Sequence, residues 1–273
     1  MAPAPKRIEI CKFPGNKRLA FTTSWDDGVV EDKRVVALFN EIGIKGTFNL
    51  NSGFFGRENY LKADEVASVY AGHEVAIHTS THPHLPMLDA SQMAYEILDD
   101  RRALEDLVGY PVRGMALPYG TTSPAVTAML RSLGIVYCRS VANADNVFPP
   151  ADPLVWSSTM HMFGDNPKLP ERFESWLSNT RKTGVFFVWG HSYEFARPRD
   201  RWAELDSLFR PVAGHADIWY CTNIELFDYE TARQRMVIAA NKRTAYNPSA
   251  ASVSLWVDGK LVDVPGGQLV QLV

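Results

Sequence analysis

Short runs of apolar and β-branched residues alternate along this chain with longer amphipathic stretches of helical period. The first apolar run, residues 19–24, predicts a buried strand, and the amphipathic stretch at 32–42 predicts a helix that ends at Gly43. Further strands are predicted at residues 45–50, 73–78, 113–117, 135–139, 154–161, 185–189 and 217–222. Further helices are predicted at residues 63–71, 91–108, 123–133, 170–182, 201–212 and 224–240. Ser91 is the candidate N-cap of the second of these. Strand followed by helix, repeated about seven or eight times, is typical of a parallel β/α barrel or of a doubly wound sheet.

Chain length favours one of these two folds. A barrel usually takes ~250 residues, which suits a chain of 273. We therefore predict a β/α barrel in residues 1–240, with its core at about 18–222.

The last part of the chain, residues 241–273, has a different pattern. Two apolar and β-branched runs, 253–257 and 260–264, flank Asp258-Gly259, which predicts a β-hairpin with a two-residue turn. Residues 268–273 are a candidate third strand. We expect a small β appendage packed on the barrel rather than a separate binding module.

Composition limits the classes of function. The chain is 46% hydrophobic and 22% charged, an ordinary globular balance, and its formal charge of −3 gives no electrostatic reason to expect nucleic acid or an anionic membrane. Three widely spaced cysteines predict neither a disulfide framework nor a metal knuckle. No apolar run resembles a signal peptide or a membrane span, which predicts a cytoplasmic protein, although a trimmed secreted chain would have the same features.

Two histidines, His78 and His82, stand four positions apart at the end of the predicted third strand. This spacing can place both imidazoles on one side of a single turn, and Pro83 stops that turn from extending into a helix. Taken alone, the pair fits a chance pair of histidines as well as a metal site. A catalytic metal site needs a third ligand and an open position, and the candidate third ligand lies in the acidic pair Asp26-Asp27.

Polar side chains recur at the C-terminal ends of the predicted strands. They are Asp26, Asp27, His78, His82, Tyr119 and His191. Barrel enzymes place their active sites on this face. Polar residues also occur at strand ends that have no function. This alternative explains one or two of these positions, but it explains all six poorly.

Four segments resemble, in order, the motifs of the polysaccharide deacetylases, the NodB-homology proteins of carbohydrate esterase family 4. Residues 23–28, TSWDDG, are similar to the motif TFDDG, and residues 78–83, HTSTHP, are similar to H-[ST]-x-x-H-P. Residues 117–120, LPYG, resemble the end of R-x-x-P-Y-G, and 188–191, VWGH, resemble a late L-x-H motif. The resemblance covers roughly residues 19–222 and implies a distorted, often seven-stranded barrel. Together with the pattern above, it predicts an α/β fold: a distorted (β/α) barrel of seven to eight strands with a small C-terminal β appendage.

The resemblance implies a metal site formed by Asp27, His78 and His82. Two histidines and one carboxylate leave an open position for water and for the oxygen of a substrate carbonyl group. Zinc is the first candidate for the divalent metal, with cobalt or nickel as alternatives.

The resemblance also implies catalytic roles around a metal-bound water. Asp26 would be the general base and His191 the general acid, while Tyr119 would lend its backbone N–H to the oxyanion. A histidine suits the acid role because its pKa lies near neutrality. The alternative for His191 is a buried histidine bonded to a carbonyl oxygen.

Two features depart from the family pattern. Met115 stands where the family has an arginine that pairs with the catalytic aspartate, so Arg113 and Arg139 are the candidate replacements. If neither reached Asp26, the pKa of that buried carboxyl group would rise. The acidic residue that orients the acid histidine is also not evident, and Asp145 is the only candidate we can offer.

The resulting hypothesis is a metal-dependent hydrolase that removes N- or O-linked acetyl groups from a carbohydrate. One alternative is an amidohydrolase of small cyclic or linear amides, similar to allantoinases and imidases. Another is a non-catalytic glycan-binding protein. The expected partner is an acetylated sugar or a small amide, with neither nucleic acid nor a membrane, and the oligomeric state is left open.

Overall fold

The structure, a computed structural model, describes residues 7–144, 148–164, 168–179 and 183–272. The strands, numbered in chain order, are β1 (Ile8–Ile10), β2 (Leu19–Asp27), β3 (Thr47–Leu50), β4 (Glu74–Ile77), β5 (Gly114–Ala116), β6 (Tyr137–Asn143), β7 (Trp156–Ser158), β8 (Met160–His161), β9 (Gly184–Gly190), β10 (Ile218–Tyr220), β11 (Val237–Ile238), β12 (Thr244–Tyr246), β13 (Val253–Val257), β14 (Lys260–Val264) and β15 (Leu269–Gln271). The α-helices are α1 (Asp32–Ile42), α2 (Val66–Val69), α3 (Ala90–Val108), α4 (Pro124–Ser132), α5 (Leu169–Ser178), α6 (Trp202–Phe209) and α7 (Asn223–Arg235).

A parallel sheet in the order β7-β6-β5-β4-β3-β2-β9-β8 forms the barrel. The two end strands of this sheet are consecutive in the chain, because only Thr159 separates β7 from β8. Strand β7 pairs with β6, and β8 pairs with β9. The N–H of Thr159 also donates to the carbonyl oxygen of Phe187 in β9, at 2.8 Å. The strand order therefore closes through residues 156–161, and the predicted distorted (β/α) barrel is confirmed.

The eighth parallel strand, β10, is shared with the long first strand of the barrel. It pairs with Leu19–Phe21, whereas β3 pairs further along the same edge of β2, at Ser24–Asp27. The opposite edge of β2 pairs with β9 over Leu19–Trp25. Seven strands, counting β7 and β8 as one, thus form the ring, and β10 supports its first strand.

Alternating positions of the strands divide the core into two layers. On β9, Phe186 and Val188 pack in the cluster that includes Phe39 of α1 and Ile97 of α3, outside the barrel. Val185 and Phe187 instead join a second cluster inside the barrel. The other buried members of this inner cluster are Phe13, Ala20, Tyr137, Phe148, Trp156, Cys221, Leu226 and Phe227. Trp156 is therefore a core residue, as its apolar character favours.

Some helix ends differ from the pattern-based predictions. Helix α3 begins at Ala90 with Asp89 as its N-cap, rather than Ser91, because the Asp89 carboxylate accepts hydrogen bonds from the N–H groups of Ser91 and Gln92, each at 2.9 Å. Helix α7 ends at Arg235, because residues 237–238 pair with β12. The predicted helix at 170–182 is observed as α5, and residues 180–182 lie outside the described part of the chain.

The predicted β appendage is present as two small sheets. Strands β13 and β14 form the hairpin around Asp258 and Gly259, whose φ angles are 46° and 85°, and β1 joins the free edge of β13. Strand β15 pairs with β12 in the second sheet instead of extending the hairpin. The hydroxyl of Tyr229 on α7 donates to the carbonyl oxygen of Cys11, at 3.2 Å, which joins α7 to the segment after β1. The domain boundary after residue 240 stays a prediction.

Among the described helices, none is both long enough and apolar enough to cross a bilayer.

Candidate active site

The acidic pair lies where β2 ends. Asp26 is at an inward-facing position of β2 and is 3% exposed, so its carboxylate lies inside the mouth of the barrel. Asp27 has a φ angle of 84°, and Gly28 after it has 69°. Left-handed backbone at a non-glycine residue is uncommon, and here it lets two adjacent carboxylates approach the same space from different sides.

Three candidate metal ligands converge at this point. Oδ1 of Asp27 lies 3.7 Å from Nε2 of His78 and 3.9 Å from Nε2 of His82. The two Nε2 atoms are 3.2 Å apart. Ligand atoms around a tetrahedral zinc ion with Zn–N bonds of ~2.0–2.1 Å are separated by ~3.3 Å, so the spacing suits such an ion.

The protonation of the two imidazoles also suits a metal. Nδ1 of His78 lies 2.9 Å from the carbonyl oxygen of Ala116, which requires the proton on Nδ1 and leaves the lone pair of Nε2 facing the site. Burial and the charge of His78 lower the pKa of His82, which favours its neutral, metal-binding form. The donor set thus fits a divalent cation.

The turn that carries the histidine pair is stabilised by Thr79 within the motif and by Asn51 and Asp100 outside it. Thr79 and His82 have φ angles of 67° and 58°, and Oγ1 of Thr79 accepts a hydrogen bond from the N–H of His82 at 3.1 Å. The buried amide of Asn51 donates to the carbonyl oxygens of His78 and Thr79, at 2.7 and 2.8 Å. Asp100 of α3 accepts from the N–H of His78 at 3.0 Å.

Asp26 is paired with Arg139, one of the two arginines considered from the sequence. Arg139 is fully buried and donates through Nη2 to Oδ2 of Asp26, while Asn49 donates to Oδ1 at 2.8 Å. Burial by itself would raise the pKa of Asp26, but the charges of Arg139, His78 and His191 outweigh it and hold that pKa well below its usual range. Asp26 is therefore ionised at neutral pH.

The other candidate, Arg113, points away from the site. It forms a two-armed ion pair with Asp228 of α7, at 2.9 and 2.7 Å. Met115, two residues later on the same side of β5, packs in the outer cluster. Arg139 reaches Asp26 because its side chain points into the barrel. It lies two residues after Tyr137, a residue of the inner cluster, and therefore at the next inward-facing position of β6.

His191 lies across from the metal ligands with its orienting carboxylate nearby in the chain. Its Nε2 is 3.9 Å from Oδ2 of Asp26, and its Nδ1 is 2.6 Å from Oε1 of Glu194. The same Oε1 atom lies 3.2 Å from Nε2 of His161. Glu194 was not predicted in this role, although its i+3 spacing within the short 3-10 helix Ser192–Phe195 would have indicated it. Asp145, the residue considered from the sequence, lies outside the described residues.

Tyr119 stands at the edge of the same site in a left-handed turn, with a φ angle of 55°. Its ring stacks on His84, with 3.9 Å between ring centroids, and lies edge-on to His82 at 4.5 Å. A cavity of about 520 Å³ opens beside Asp27, lined by Val29, Tyr60, Tyr193, Arg197 and Pro198. This face of the barrel therefore has a candidate metal site with an aromatic-walled cavity next to it.

Comparison with protein families gives a match at the same residues. Residues 14–138 match the family described as polysaccharide deacetylase. A chitin deacetylase from Pestalotiopsis sp is 28% identical over 134 residues, which are 48% of this chain and 43% of that protein. The chain thus matches less than half the length of this curated relative.

Solved structures share the fold over most of the chain. A Mycobacterium smegmatis protein provisionally named a polysaccharide deacetylase has a TM-score of 0.62 at 18% identity and covers 85% of this chain and 96% of its own. The Puue allantoinase has a TM-score of 0.60 at 17% identity, covering 80% and 92%. A family 4 acetyl xylan esterase from Clostridium thermocellum, in complex with a cobalt ion, has a TM-score of 0.52 at 16% identity, covering 77% and 90%. At these identities the similarity shows the fold alone.

The family match includes the TSWDDG and HTSTHP segments, which carry Asp26, Asp27, His78 and His82. The resemblance seen in the motifs is confirmed: residues 14–138 match the polysaccharide deacetylase family.

Proposed function

We propose that this protein is a metal-dependent hydrolase that removes N- or O-linked acetyl groups from a carbohydrate. The observation that carries the proposal is the convergence of Asp27, His78 and His82 next to Asp26, with His191 nearby, in a chain whose residues 14–138 match the polysaccharide deacetylase family.

Asp27, His78 and His82 would hold a divalent cation, with zinc as the first candidate and cobalt or nickel as alternatives. When bound, such a cation supplies Lewis acidity, which makes water a better nucleophile and polarises an acyl carbonyl group. Borderline-soft imidazole nitrogens with a single carboxylate are typical ligands of zinc in hydrolytic sites.

Asp26 is the general base of the proposed reaction. It stays ionised because Arg139 and Asn49 hold its two oxygens, and it lies beside the metal ligands, 3.9 Å from Nε2 of His78. From there it accepts a proton from the attacking water as the oxygen of that water bonds to the acetyl carbon.

His191 is the general acid of the second half of the reaction. Its Nε2 faces the site, so it can deliver a proton to the sugar nitrogen or oxygen as the bond to the acetyl carbon breaks, which releases acetate. Tyr119 would donate its backbone N–H to the oxyanion of the tetrahedral intermediate. One such donor contributes roughly 3 kcal/mol to transition-state stabilisation in other hydrolases.

The proposed substrate is a sugar rather than a small amide. The name of the curated relative, chitin deacetylase, supports an acetylated amino sugar. Tyr60 and Tyr193 in the adjacent cavity offer aromatic faces and hydroxyls, which suit a sugar ring. The allantoinase shares only the fold with this chain, at 17% identity, and supports no amide substrate.

Acetate release and metal content test this function together. The purified protein should release acetate from acetylated chito-oligosaccharides or from acetylated xylan, lose activity after treatment with a chelator, and recover it with zinc or cobalt. His82→Ala should lose both the metal and the activity, whereas Asp26→Asn should keep the metal and lose about 10²–10⁴-fold in kcat.

His215→Ala is the matched control, because His215 lies before the N-terminal end of β10, outside the proposed site. It should keep both metal and activity. A zinc-loaded wild-type protein that releases no acetate from either class of substrate would contradict the proposed function.

A further inference from the structure

Three side chains that can donate hydrogen bonds line the cavity beside Asp27. They are Tyr60, Tyr193 and Arg197, and the cavity has a volume of about 520 Å³, a size typical of ligand pockets. Within the described part of the chain, neither phenol hydroxyl and no nitrogen of the guanidinium is hydrogen-bonded to another protein group. Nη2 of Arg197 lies 3.6 Å from Oε1 of Glu31, which is an ion pair but too long for a hydrogen bond.

The donors are held in place by the backbone around the mouth of the barrel. Tyr60 forms an antiparallel bridge with Val29, just after the end of β2. On the other side, the N–H of Arg197 donates to the carbonyl oxygen of Tyr193 at 2.9 Å. The guanidinium carbon of Arg197 is 5.3 Å from the centre of the Tyr193 ring, and the centre of that ring is 5.0 Å from the centre of the His191 ring. Arg197 is therefore one aromatic ring away from the proposed acid.

The charges and protons in the cavity favour a negatively charged ligand. Among the described residues that line it, Asp27 is the one acid, and its Oδ1 faces the histidine pair. The side chain of Arg197 is 45% exposed and that of Glu31 is 14% exposed, so the guanidinium is more accessible to a ligand than its partner. Burial raises the pKa of both Tyr60 and Tyr193, so both hydroxyls keep their protons and can donate.

We propose that this cavity is a subsite for a sugar unit that carries a carboxylate, such as a uronic acid next to the acetylated unit, and that Arg197 selects it. The inference rests on the proposed function for the position of the acetylated unit at the metal ligands. A planar guanidinium matches the two oxygens of a carboxylate with two parallel N–H groups. One guanidinium that is shared with Glu31 suits the single charge of a carboxylate better than the double charge of a phosphate ester.

A neutral sugar fits the same donors less well. Sugar hydroxyls both donate and accept, whereas a guanidinium only donates. A hydrogen bond between a charged donor and a charged acceptor is also stronger than one to a neutral hydroxyl. We therefore expect the acidic substrate to be preferred by about 10–10²-fold, which is the size of one charge-assisted interaction.

Acetate release from a matched pair of substrates measures this preference. One substrate is a hyaluronan oligosaccharide, in which N-acetylglucosamine alternates with glucuronic acid. The other is the same oligosaccharide with its carboxyl groups reduced to primary alcohols, so the two differ only in the carboxylate. The metal-loaded wild-type protein should have a kcat/KM that is about 10–10²-fold higher for the acidic form.

Substitution of Arg197 should remove the preference. Arg197→Gln should raise KM for the acidic form by about 10–10²-fold with kcat nearly unchanged, because ground-state binding is lost rather than proton transfer. The same variant should change KM for the reduced form by less than about threefold. Arg197→Lys should recover part of the affinity, because it keeps the charge but loses the two-armed geometry. An equal change for both substrates would indicate a structural role for Arg197 and would overturn the inference.

Binding separates this inference from the proposed function. Calorimetry in the Asp26→Asn background, with and without Arg197→Gln, gives the Kd of each oligosaccharide without relying on turnover. The acidic form should bind about 10–10²-fold more tightly than the reduced form, and Arg197→Gln should abolish the difference. A carboxylate that binds the metal instead would have the same Kd in both proteins, which would also overturn the inference.

Arg199→Gln is the matched control, because it makes the same charge change two residues later, where Arg199 lines a different cavity with Lys168 and Glu204. It should leave the preference for the acidic form intact. Equal Kd values for the acidic and reduced forms in the presence of Arg197 overturn the inference, even where acetate is released from chito-oligosaccharides. Tighter binding of the acidic form without acetate release from any of these substrates would contradict the proposed function alone.

Discussion

Asp26 can remain ionised in a buried position because Arg139 is buried beside it. The side chains of Arg139 and Asp26 are 0% and 4% exposed, so neither charge is compensated by bulk water. A buried ion pair of this kind contributes little net stability compared with an apolar pair, but removing one partner leaves an uncompensated charge. The pair therefore constrains both the stability of the protein and the charge of the proposed base.

We expect Arg139→Met to lower the free energy of unfolding by about 3–5 kcal/mol, because Asp26 then loses its counter-charge. The double variant Arg139→Met with Asp26→Asn should recover about 1–3 kcal/mol of that loss, since the remaining amide no longer carries a charge. Urea denaturation of the wild type, both single variants and the double variant measures the coupling.

Arg113→Met is the control for this cycle. Its ion pair with Asp228 has side chains that are 36% and 42% exposed, so the loss should stay within about 1 kcal/mol. Equal losses at Arg113 and Arg139 would show that burial does not determine the effect.

The residues of the site differ in how far the sequence could predict them. The pairing of His78 with His82 follows from their spacing, because the turn after β4 is a local structure, whereas Asp27 was chosen from the acidic pair by the family resemblance. Glu194 could have been found from its i+3 spacing to His191. Arg139 could only be narrowed to a choice of two arginines, because its pairing depends on which face of β6 lies inside the barrel.

The start of helix α3 is also a feature that the sequence alone could not determine. Both Asp89 and Ser91 are good N-cap residues, and the prediction from the sequence was Ser91. The structure has Asp89 accepting from two backbone N–H groups, while the side chain of Gln92 returns a contact to the N–H of Asp89 at 3.4 Å. Two candidate caps two residues apart are distinguished only by which side chain accepts from the free N–H groups, and this is seen in the structure.

This assignment predicts unequal effects of two alanine substitutions. Asp89→Ala should destabilise the protein by about 1 kcal/mol, because two N–H groups of α3 lose their acceptor. Ser91→Ala should change the free energy of unfolding by less than about 0.5 kcal/mol, since its hydroxyl only donates to Asp89. Thermal or urea denaturation of the two variants compares them, and a larger loss at Ser91 would contradict the observed cap.

For the whole molecule, the alternation of strands and helices was enough to predict the barrel, because each parallel strand needs a crossover before the next. The pattern could not reveal how the ring closes, since residues 156–161 look like one strand and pair with different neighbours in each half. It also could not predict that β1 pairs with β13, because strands so far apart in sequence leave no local signal.

Buried carboxyl groups inside this fold give its stability a specific pH dependence. Glu74 of β4 is 5% exposed and accepts hydrogen bonds from the Tyr137 hydroxyl at 2.7 Å, the Thr47 hydroxyl at 2.8 Å and the N–H of Ile224 at 2.9 Å. Burial raises its pKa to about 7, even though these hydrogen bonds act in the opposite direction. The folded protein therefore keeps a proton on Glu74 at pH values where the unfolded chain has lost it.

The sign of the resulting effect follows from proton linkage. Between about pH 4.5 and 7 the folded state binds more protons than the unfolded state, so this group makes stability fall as pH rises, by on the order of 3 kcal/mol in total. Glu74→Gln resembles the protonated form, because its amide oxygen can accept from Ile224 and Thr47 while its NH₂ donates to the oxygen of Tyr137.

We expect the free energy of unfolding of Glu74→Gln to equal that of the wild type near pH 5 and to be higher than that of the wild type near pH 8. Urea denaturation across this range measures the difference, with the exposed Glu58→Gln as a variant that should keep the wild-type slope. Parallel curves for the wild type and Glu74→Gln from pH 5 to 8 would show that Glu74 is ionised in the folded protein throughout, held so by its three donors.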